Sequence, residues 1–222
     1  GIDFAEDRIG DKRIHSCTIV PERGSWVEIT VTKRDTLAVK IDQGSKLSAT
    51  TFLRAISPQT STNEDILRTF YEPTEIKLSA STKEEDIAGR VIVKTVLDAE
   101  KNEPVIEAGN RLQRGMLNTL LEKGVKSIEI IARMDDPIIL NTVMDEDETK
   151  THEEALIFIY RRLRPGAPVS IDKAKQVVLE RFFDGNRYRL GRVGRFRINR
   201  KYGTEIPEAE VTLHPEDVIH SI

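Results

Sequence analysis

Hydrophobic and polar residues alternate near the start of the chain with the two-residue period of β-strands. The runs RIHSCTIV (13–20) and WVEITVT (26–32) follow this pattern, and the turn between them is bracketed by Pro21 and Gly24. A third run, TLAVKID (36–42), precedes the turn Gln-Gly-Ser at 43–45. The pattern predicts three antiparallel strands, the first two forming a hairpin.

Apolar residues at helical spacing predict four helices in the rest of the chain. A Ser or Thr followed three residues later by Glu can cap a helix reciprocally, and this capping box marks two of the starts. The expected signals are Ser61 with Glu64, Leu112–Leu121 with Gly124 just beyond the helix, Thr151 with Glu154, and Ser170 ahead of a helix through Phe182. Together with the strands, these helices predict an α+β fold.

The pattern of predicted elements in residues 73–140 differs from that of the flanking residues, because short β-type runs there surround a single helix. We expect a small β-rich module at 73–140, inserted into a discontinuous domain formed by 1–72 and 141–222. The acidic segment MDEDETKTHEE (144–154) follows the module. We interpret it as a solvated linker, since it lacks the glycine and the ligand spacing of a calcium loop.

Composition indicates a folded protein that works in the cytoplasm. The 222 residues are 38% hydrophobic and 32% charged, and no apolar run is long enough to span a bilayer. The lone cysteine, Cys17, excludes an internal disulfide and is interpreted as a strand residue. No phosphate-binding loop, paired-cysteine motif or zinc-protease motif is present. An independent hydrolase or transferase is therefore disfavoured.

Positive charge is concentrated in residues 181–201, which we call the basic tract. It holds eight basic residues and one acid, whereas the whole chain carries a net charge of −3. Phe182, Phe183, Tyr188 and Phe196 lie among its arginines. Arginine suits bidentate contacts to phosphate and stacking on flat rings. The tract predicts a surface that faces nucleic acid; the alternative is a solvated face whose arginines pair with acids elsewhere in the chain.

Four stretches of the chain resemble the lobe domain (β2) of the bacterial RNA polymerase β subunit. They are IVPERGSW (19–26), KLSATTFLRAI (46–56), IYRRLRPGAP (159–168) and the pattern RYxLxxVGRxxxN within 182–199. Residues 73–140 resemble a lineage-dependent insertion of the sandwich–barrel hybrid type. Near the third strand, Gln43, Gly44 and Ser45 replace three arginines of the family pattern, which weakens the case for a phosphate contact at that turn. Ser48 replaces a proline, and we expect it to loosen the following segment.

The resemblance implies a non-catalytic part of a nucleotidyltransferase, DNA-directed RNA polymerase, that would be inactive alone. The lobe would form one wall of the DNA cleft and contact the non-template strand and the downstream duplex. Trp26 would stack on an unpaired base, although the strand pattern alone favours a core residue there. The loop at 164–168 (Arg164, Pro165, Gly166, Ala167, Pro168) would be the gate loop. The candidate DNA-binding residues are Trp26, Arg161, Arg164, Arg187, Arg189, Arg192, Arg195 and Arg197.

The resemblance also implies partners. These are the rest of β, the β′, α and ω subunits, a sigma factor and DNA in the bacterial nucleoid, without a membrane. No cofactor is expected in this segment, since the magnesium of the polymerase would be bound elsewhere. One alternative function remains open. The chain would then be a protein-interaction platform that docks transcription factors or other polymerase subunits without touching DNA.

Overall fold

The computed structural model describes residues 1–222 and has an α+β fold, as predicted. The elements in chain order are β1 (Ile2–Ile9), β2 (Lys12–Ile19), β3 (Val27–Val31), β4 (Leu37–Ile41), β5 (Leu47–Ser48), α1 (Ala49–Ile56), α2 (Asn63–Phe70), β6 (Pro73–Lys77), β7 (Val96–Leu97), β8 (Pro104–Ile106), α3 (Met116–Glu122), β9 (Ser127–Ile131), α4 (Ile138–Asn141), α5 (His152–Leu163), α6 (Ile171–Val178), α7 (Gly191–Tyr202) and α8 (Pro215–Ser221).

The chain forms two compact units, residues 1–61 with 145–222 and residues 62–144. We call them the outer unit and the inserted unit. Compared with the predicted domains, residues 62–72 and 141–144 belong to the inserted unit. That each unit folds as a domain of its own stays a prediction.

A five-stranded antiparallel sheet, in the order β1-β2-β3-β4-β5, forms one part of the outer unit. Ile2 lies opposite Ile19, and Ile29 lies opposite Val39. The sequence pattern did not indicate β1, because every residue of this strand after Ile2 is exposed and its charges mask any alternation. The strand is held by its pairing along the whole length of β2.

Helix α1 lies in the core of the outer unit, and all eight of its residues are buried. The Phe52 ring meets the Phe182 ring edge-on with centroids 5.4 Å apart, and Phe182 lies 6.1 Å from the Tyr188 ring. The side chain of Ser48 accepts a hydrogen bond from the Thr51 N–H and caps the helix. The expectation that Ser48 loosens this segment is therefore wrong, since an N-cap hydroxyl satisfies a donor that proline could not.

Helix α2 begins one residue later than predicted. Its capping box uses Thr62 and Asp65 rather than Ser61 and Glu64. The Ser61 hydroxyl instead accepts the His152 N–H at 2.7 Å. Glu64 pairs with Arg68 one turn further along.

The other predicted helix ends are partly confirmed. The Thr151 side chain accepts a hydrogen bond from the Glu154 N–H, as predicted. The Glu154 carboxylate accepts a hydrogen bond from the Lys150 N–H and not from that of Thr151, so the capping box is incomplete. Ser170 precedes α6 without a side-chain cap bond. Gly124, at φ 73°, follows the last turn of α3 as expected, but α3 begins only at Met116, so the prediction that this helix includes Leu112 is wrong.

The acidic segment 144–154 is anchored rather than fully solvated, so its interpretation as a solvated linker is wrong at Asp147. The Asp147 and Arg54 side chains are 0% exposed and form an ion pair of 2.9 Å. The same carboxylate accepts hydrogen bonds from the hydroxyls of Thr50, Thr51 and Thr149. Buried charges need this degree of pairing, because an isolated ion in the interior is strongly disfavoured.

The inserted unit has its own hydrophobic core. Two small antiparallel sheets, β6-β9 and β7-β8, surround α3. The buried core cluster is Leu78, Ile87, Ile92, Val96, Ile106, Leu112, Leu117, Leu120, Val125, Ile128 and Ile130. None of the helices in either unit is long and apolar enough to cross a membrane.

Candidate nucleic-acid interface

Trp26 lies at the end of the turn before β3, and half of its surface is exposed. The Trp26 N–H donates to the Asp42 Oδ1 at 2.9 Å, and the Asp42 N–H donates to the Trp26 carbonyl at 3.0 Å. These two bonds fix the backbone while the indole stays open to solvent. The alternative that Trp26 is a core residue of the hairpin is wrong.

Asp42 connects this turn to the basic tract. Its Oδ2 accepts a hydrogen bond from the Arg181 Nη1 at 3.1 Å, and the same nitrogen donates to the Ser25 hydroxyl at 3.1 Å. Asp42 itself adopts φ 51°, an uncommon conformation that Asp tolerates better than most residues. Arg181 therefore orients the Trp26 turn through Asp42 rather than standing free.

Main-chain pairing holds the turn and the tract together at a second point. Arg23 and Arg189 exchange both backbone hydrogen bonds, at 3.1 and 2.7 Å. Gly24 is required beside them, because a Cβ there would lie 2.9 Å from the Tyr188 ring and 3.0 Å from the Arg187 carbonyl. Its φ of +119° is also a conformation that side-chain-bearing residues rarely adopt.

A shallow pocket of about 270 Å³ opens next to the turn. Arg164, Arg181 and Arg187, which come from different parts of the chain, all line it. Glu180 is the acid among its walls that pairs with Arg187, at 2.9 Å. The structure thus gathers two of the predicted DNA-binding arginines, Arg164 and Arg187, beside the Trp26 turn.

Arg181 and Asp42 were absent from the predicted site residues. The signal that could have found Asp42 is an acid directly after a strand, a position where a short carboxylate can accept nearby backbone N–H groups. Arg181 could not have been distinguished from the other arginines by sequence alone.

Arg195 is not available to DNA, and its prediction as a DNA-binding residue is wrong. Its side chain is 0% exposed and forms a two-pronged ion pair with Asp217, at 2.7 and 3.0 Å. The remaining donors bind the Glu210 and Thr212 carbonyls. Helical geometry explains this, because α7 turns Arg195 inward beside the buried Gly194 and Ile198.

The other predicted arginines are exposed, but their ion pairs differ. Arg189 lies 4.0 Å from Glu22, and Arg192 lies 3.6 Å from Glu208. Arg161, Arg164 and Arg197 have no acid within ion-pair distance. Arg192 and Arg197 lie on α7, outside the pocket beside Trp26. The alternative, in which the arginines of the tract pair with acids elsewhere in the chain, therefore holds for some of these residues, such as Arg189 and Arg192, and not for all of them.

The aromatic residues of the tract are mostly structural. Phe182 and Tyr188 are fully buried, and the Tyr188 hydroxyl has no hydrogen-bond partner. Burial, with the nearby charge of Asp217, raises the pKa of Tyr188, so the phenol stays neutral. Phe196 is 51% exposed on α7. Trp26 lies outside the tract, and its exposed ring directly follows Gly24 and Ser25, which line the pocket.

The predicted gate loop, residues 164–168, follows α5 directly and projects into solvent. Arg164 is the C-cap residue, and Gly166 adopts φ 78°. The Tyr160 hydroxyl donates to the Pro168 carbonyl at 3.2 Å and braces the far end of the loop. The structure thus gives the loop a defined shape at the end of a helix.

No three His, Cys, Asp or Glu side chains are placed to hold a metal ion. Cys17 is buried in β2, where burial raises the pKa of its thiol. Raising that pKa disfavours the reactive thiolate.

Comparison with known proteins gives concordant matches. Residues 126–222 match the family model described as RNA polymerase Rpb2, domain 2. The whole chain aligns with the DNA-directed RNA polymerase subunit beta of Rhodopirellula baltica at 43% identity and with that of Chlamydia trachomatis at 34%. The corresponding protein of Chlamydia pneumoniae is also 34% identical. The chain covers 18% of the length of each of these relatives.

Proposed function

Because this chain belongs to the bacterial RNA polymerase β-subunit family, in which it corresponds to the lobe, we propose that it forms one wall of the DNA cleft. In this role it holds the non-template strand and the downstream duplex without doing chemistry itself. The nucleotidyl transfer, and the magnesium that this reaction needs, belong to other parts of the polymerase. The partners are the rest of β, the β′, α and ω subunits, a sigma factor and DNA in the bacterial cytoplasm and nucleoid.

One observation carries the proposal: the exposed indole of Trp26 lies on a turn whose preceding residues, Gly24 and Ser25, line a pocket together with arginines. Trp26 is held by Asp42, and Arg164 and Arg187 line the adjoining pocket. An aromatic plane for a base and guanidinium groups for phosphates together form the general platform for single-stranded nucleic acid. Each stacked base contributes about 1–3 kcal/mol.

The loop at 164–168 is the gate in this proposal. Its exposed Arg164 and its brace to Tyr160 support a fixed, positively charged edge at the entrance to the cleft. Arg161, one turn earlier on α5, extends the same charge along the helix. Phosphate contacts at this edge would orient the duplex without reading its sequence.

The test is a fluorescence-anisotropy titration of the whole chain with a DNA containing an unpaired bubble, over a series of salt concentrations. We expect Trp26→Ala to weaken binding by about 5- to 150-fold, the equivalent of one stack. Replacing Arg161, Arg164 and Arg187 by Ala should make the slope of log affinity against log salt shallower by about one unit per lost phosphate contact. Arg195 is left intact, because its loss would damage the fold.

The matched control is Arg114→Ala, which removes an exposed arginine of the inserted unit. It should leave the salt slope unchanged. If the triple variant keeps the wild-type slope, these arginines do not contact phosphate. If Trp26→Ala binds both bubble and fully paired DNA as the wild type does, the stacking role is wrong.

A protein-interaction platform is the second candidate, and one observation favours it. On α7, Val193 is 65% exposed and Phe196 is 51% exposed, one turn apart on the same side of the helix. Exposed apolar residues in a cluster are typical of protein contacts rather than phosphate contacts. Val193→Ser with Phe196→Ser should leave DNA affinity unchanged but weaken assembly with the remaining polymerase subunits; unchanged assembly would remove this candidate.

A further inference from the structure

The inserted unit contains a groove of about 520 Å³ that is separate from the proposed DNA-binding surface. Its volume lies within the range of pockets that bind ligands, about 300–1,000 Å³. One wall is the segment 94–97, which includes β7, and the other is the segment 124–129, which includes most of β9. Each wall therefore includes a stretch of extended backbone.

The edge of β9 that faces the groove is only partly paired. Even-numbered residues of β9 and its flanks bond toward β6, as the Leu78 N–H to Lys126 carbonyl bond of 2.8 Å shows. Odd-numbered residues point the other way: Ile131 donates to the Val91 carbonyl and Glu129 accepts from the Val93 N–H, each at 2.9 Å. By the same alternation, the main chain of Ser127 points toward the groove.

The opposite wall turns away just where it could have continued this ladder. After Val93 the chain leaves β9, and at Val96 it pairs with Ile106 of β8 instead. The two sheets, β6-β9 and β7-β8, thus separate beyond Val93. The groove is the gap between them, with a strand edge along one side.

The side chains of the groove favour an extended ligand with apolar and acidic residues. Val96, Val125 and Ile128 form a buried apolar floor, and Leu97 is 43% exposed at the rim. Lys94 and Lys126 are exposed and have no acid within ion-pair distance. Of the two rim acids, Glu129 is engaged by Arg68 and Glu75 is unpaired. The charge left free at the rim is therefore mainly positive.

We propose that this groove binds an extended, acidic segment of a partner protein, which pairs as a strand with the edge of β9 at Ser127. Main-chain hydrogen bonds to Ser127 supply affinity, and alternate apolar side chains enter the floor. Carboxylates on the ligand face Lys94 and Lys126. Strand addition to an open sheet edge is an established mode of peptide recognition, and this site is independent of the proposed contact with DNA.

The probe is a short fluorescein-labelled peptide of alternating valine and glutamate, titrated into the whole chain. We expect saturable binding and amide chemical-shift changes centred on Ser127, Lys126 and Thr95. Replacing both Lys94 and Lys126 with Glu should weaken binding by about tenfold or more, since the attraction of two exposed ion pairs becomes repulsion. Lys101→Glu, an exposed lysine outside the groove, is the matched control and should bind as the wild type does.

Two further peptides make the test specific to strand addition. One has the same composition but carries N-methyl groups on alternate amides along one edge, and it should lose binding because it cannot complete the ladder. The other has the same charge in scrambled order, and it should bind more weakly. Equal binding of the scrambled peptide, shift changes outside the groove, or no binding of the original peptide would each overturn the proposal.

Discussion

Replacing Asp147 with Asn should destabilise the outer unit strongly, although Asp147 lies in a segment that looks like a solvated acidic linker. The substitution keeps the size of the side chain and removes its charge. Arg54 then remains as a cation that is 0% exposed and has lost the carboxylate 2.9 Å away. The amide also cannot accept all of the hydrogen bonds that Thr50, Thr51 and Thr149 now donate to the carboxylate.

The magnitude follows from the buried cation. Removing one partner of a buried ion pair costs about 3–5 kcal/mol, because the other charge stays desolvated without its counter-charge. For a chain of this size, each 1 kcal/mol shifts the melting temperature by about 2–4 °C. We therefore expect the melting temperature of the outer unit to fall by about 6–20 °C.

The assay is urea unfolding followed by tryptophan emission. Trp26 is the only tryptophan and lies in the outer unit, so its emission reports on that unit alone. The matched control is Asp145→Asn, which changes an exposed acid two residues away and should alter stability by no more than about 0.5 kcal/mol. Equal effects of the two substitutions would refute the buried-anchor reasoning and restore the linker interpretation.

The pH dependence of stability supplies an independent check on Asp147. Burial alone would raise the pKa of Asp147, but the charge of Arg54 and the hydrogen bonds from Thr149 and Thr50 outweigh burial and hold the pKa below its ordinary value. A lowered folded-state pKa means that the stabilisation is complete above the unfolded-state pKa of about 3.9 and is lost as pH falls through the folded-state value. The free energy of unfolding of the wild type should therefore fall as the pH is lowered below about 3.9. In Asp147→Asn this pH dependence should be weaker.

Two further substitutions and one deletion test other parts of the structure. Gly24→Ala should lower the free energy of unfolding by about 1–3 kcal/mol, because φ is +119° and the new Cβ would lie 2.9 Å from the Tyr188 ring. The control is Gly10→Ala, at φ +64° with nothing within 4 Å of the new Cβ, and it should lower the free energy of unfolding by less in the same urea assay. Asp42→Gly removes the carboxylate without straining φ 51°, and acrylamide quenching of Trp26 emission should increase; quenching equal to that of the wild type would show that Asp42 does not fix the turn. When residues 62–144 are replaced with a short linker, the outer unit should still unfold in one cooperative transition, as measured by Trp26 emission. Loss of that transition would mean that the outer unit needs the inserted unit to fold.

Sequence periodicity was informative where one face of an element is buried. Strands β2 and β3 mix buried with more exposed positions, and β4 is buried except at Lys40; the runs of all three were predicted. Strand β1 has one buried residue, so its place in the sheet depends on hydrogen bonds to β2 and not on a hydrophobic pattern. Such a strand is invisible to periodicity, because backbone pairing leaves no mark on residue type.

The buried ion pairs show a different limit of sequence reasoning. Arg54 and Asp147 are 93 residues apart in the chain, and Arg195 and Asp217 are 22 apart. Composition assigns such residues to the surface, since charged side chains are seldom fully buried unless they are paired. Which carboxylate meets which guanidinium depends on tertiary packing, so the sequence could not separate Arg195 from the exposed arginines around it.

The distribution of arginine partners also changes how the charge of the basic tract should be understood. The tract has eight basic residues, but Arg195 is neutralised internally and Arg181 is engaged by Asp42. Arg187, Arg189 and Arg192 each face an acid within 4.0 Å, which a phosphate must displace before it can bind. Displacement exchanges one exposed ion pair for another, so such contacts add less affinity than a free arginine does. The salt slope of DNA binding should therefore be set mainly by Arg161, Arg164 and Arg197, with smaller contributions from the paired arginines. A wild-type slope well above about six units would require more phosphate contacts than these six exposed arginines can make, and would place part of the DNA-binding surface elsewhere in the chain.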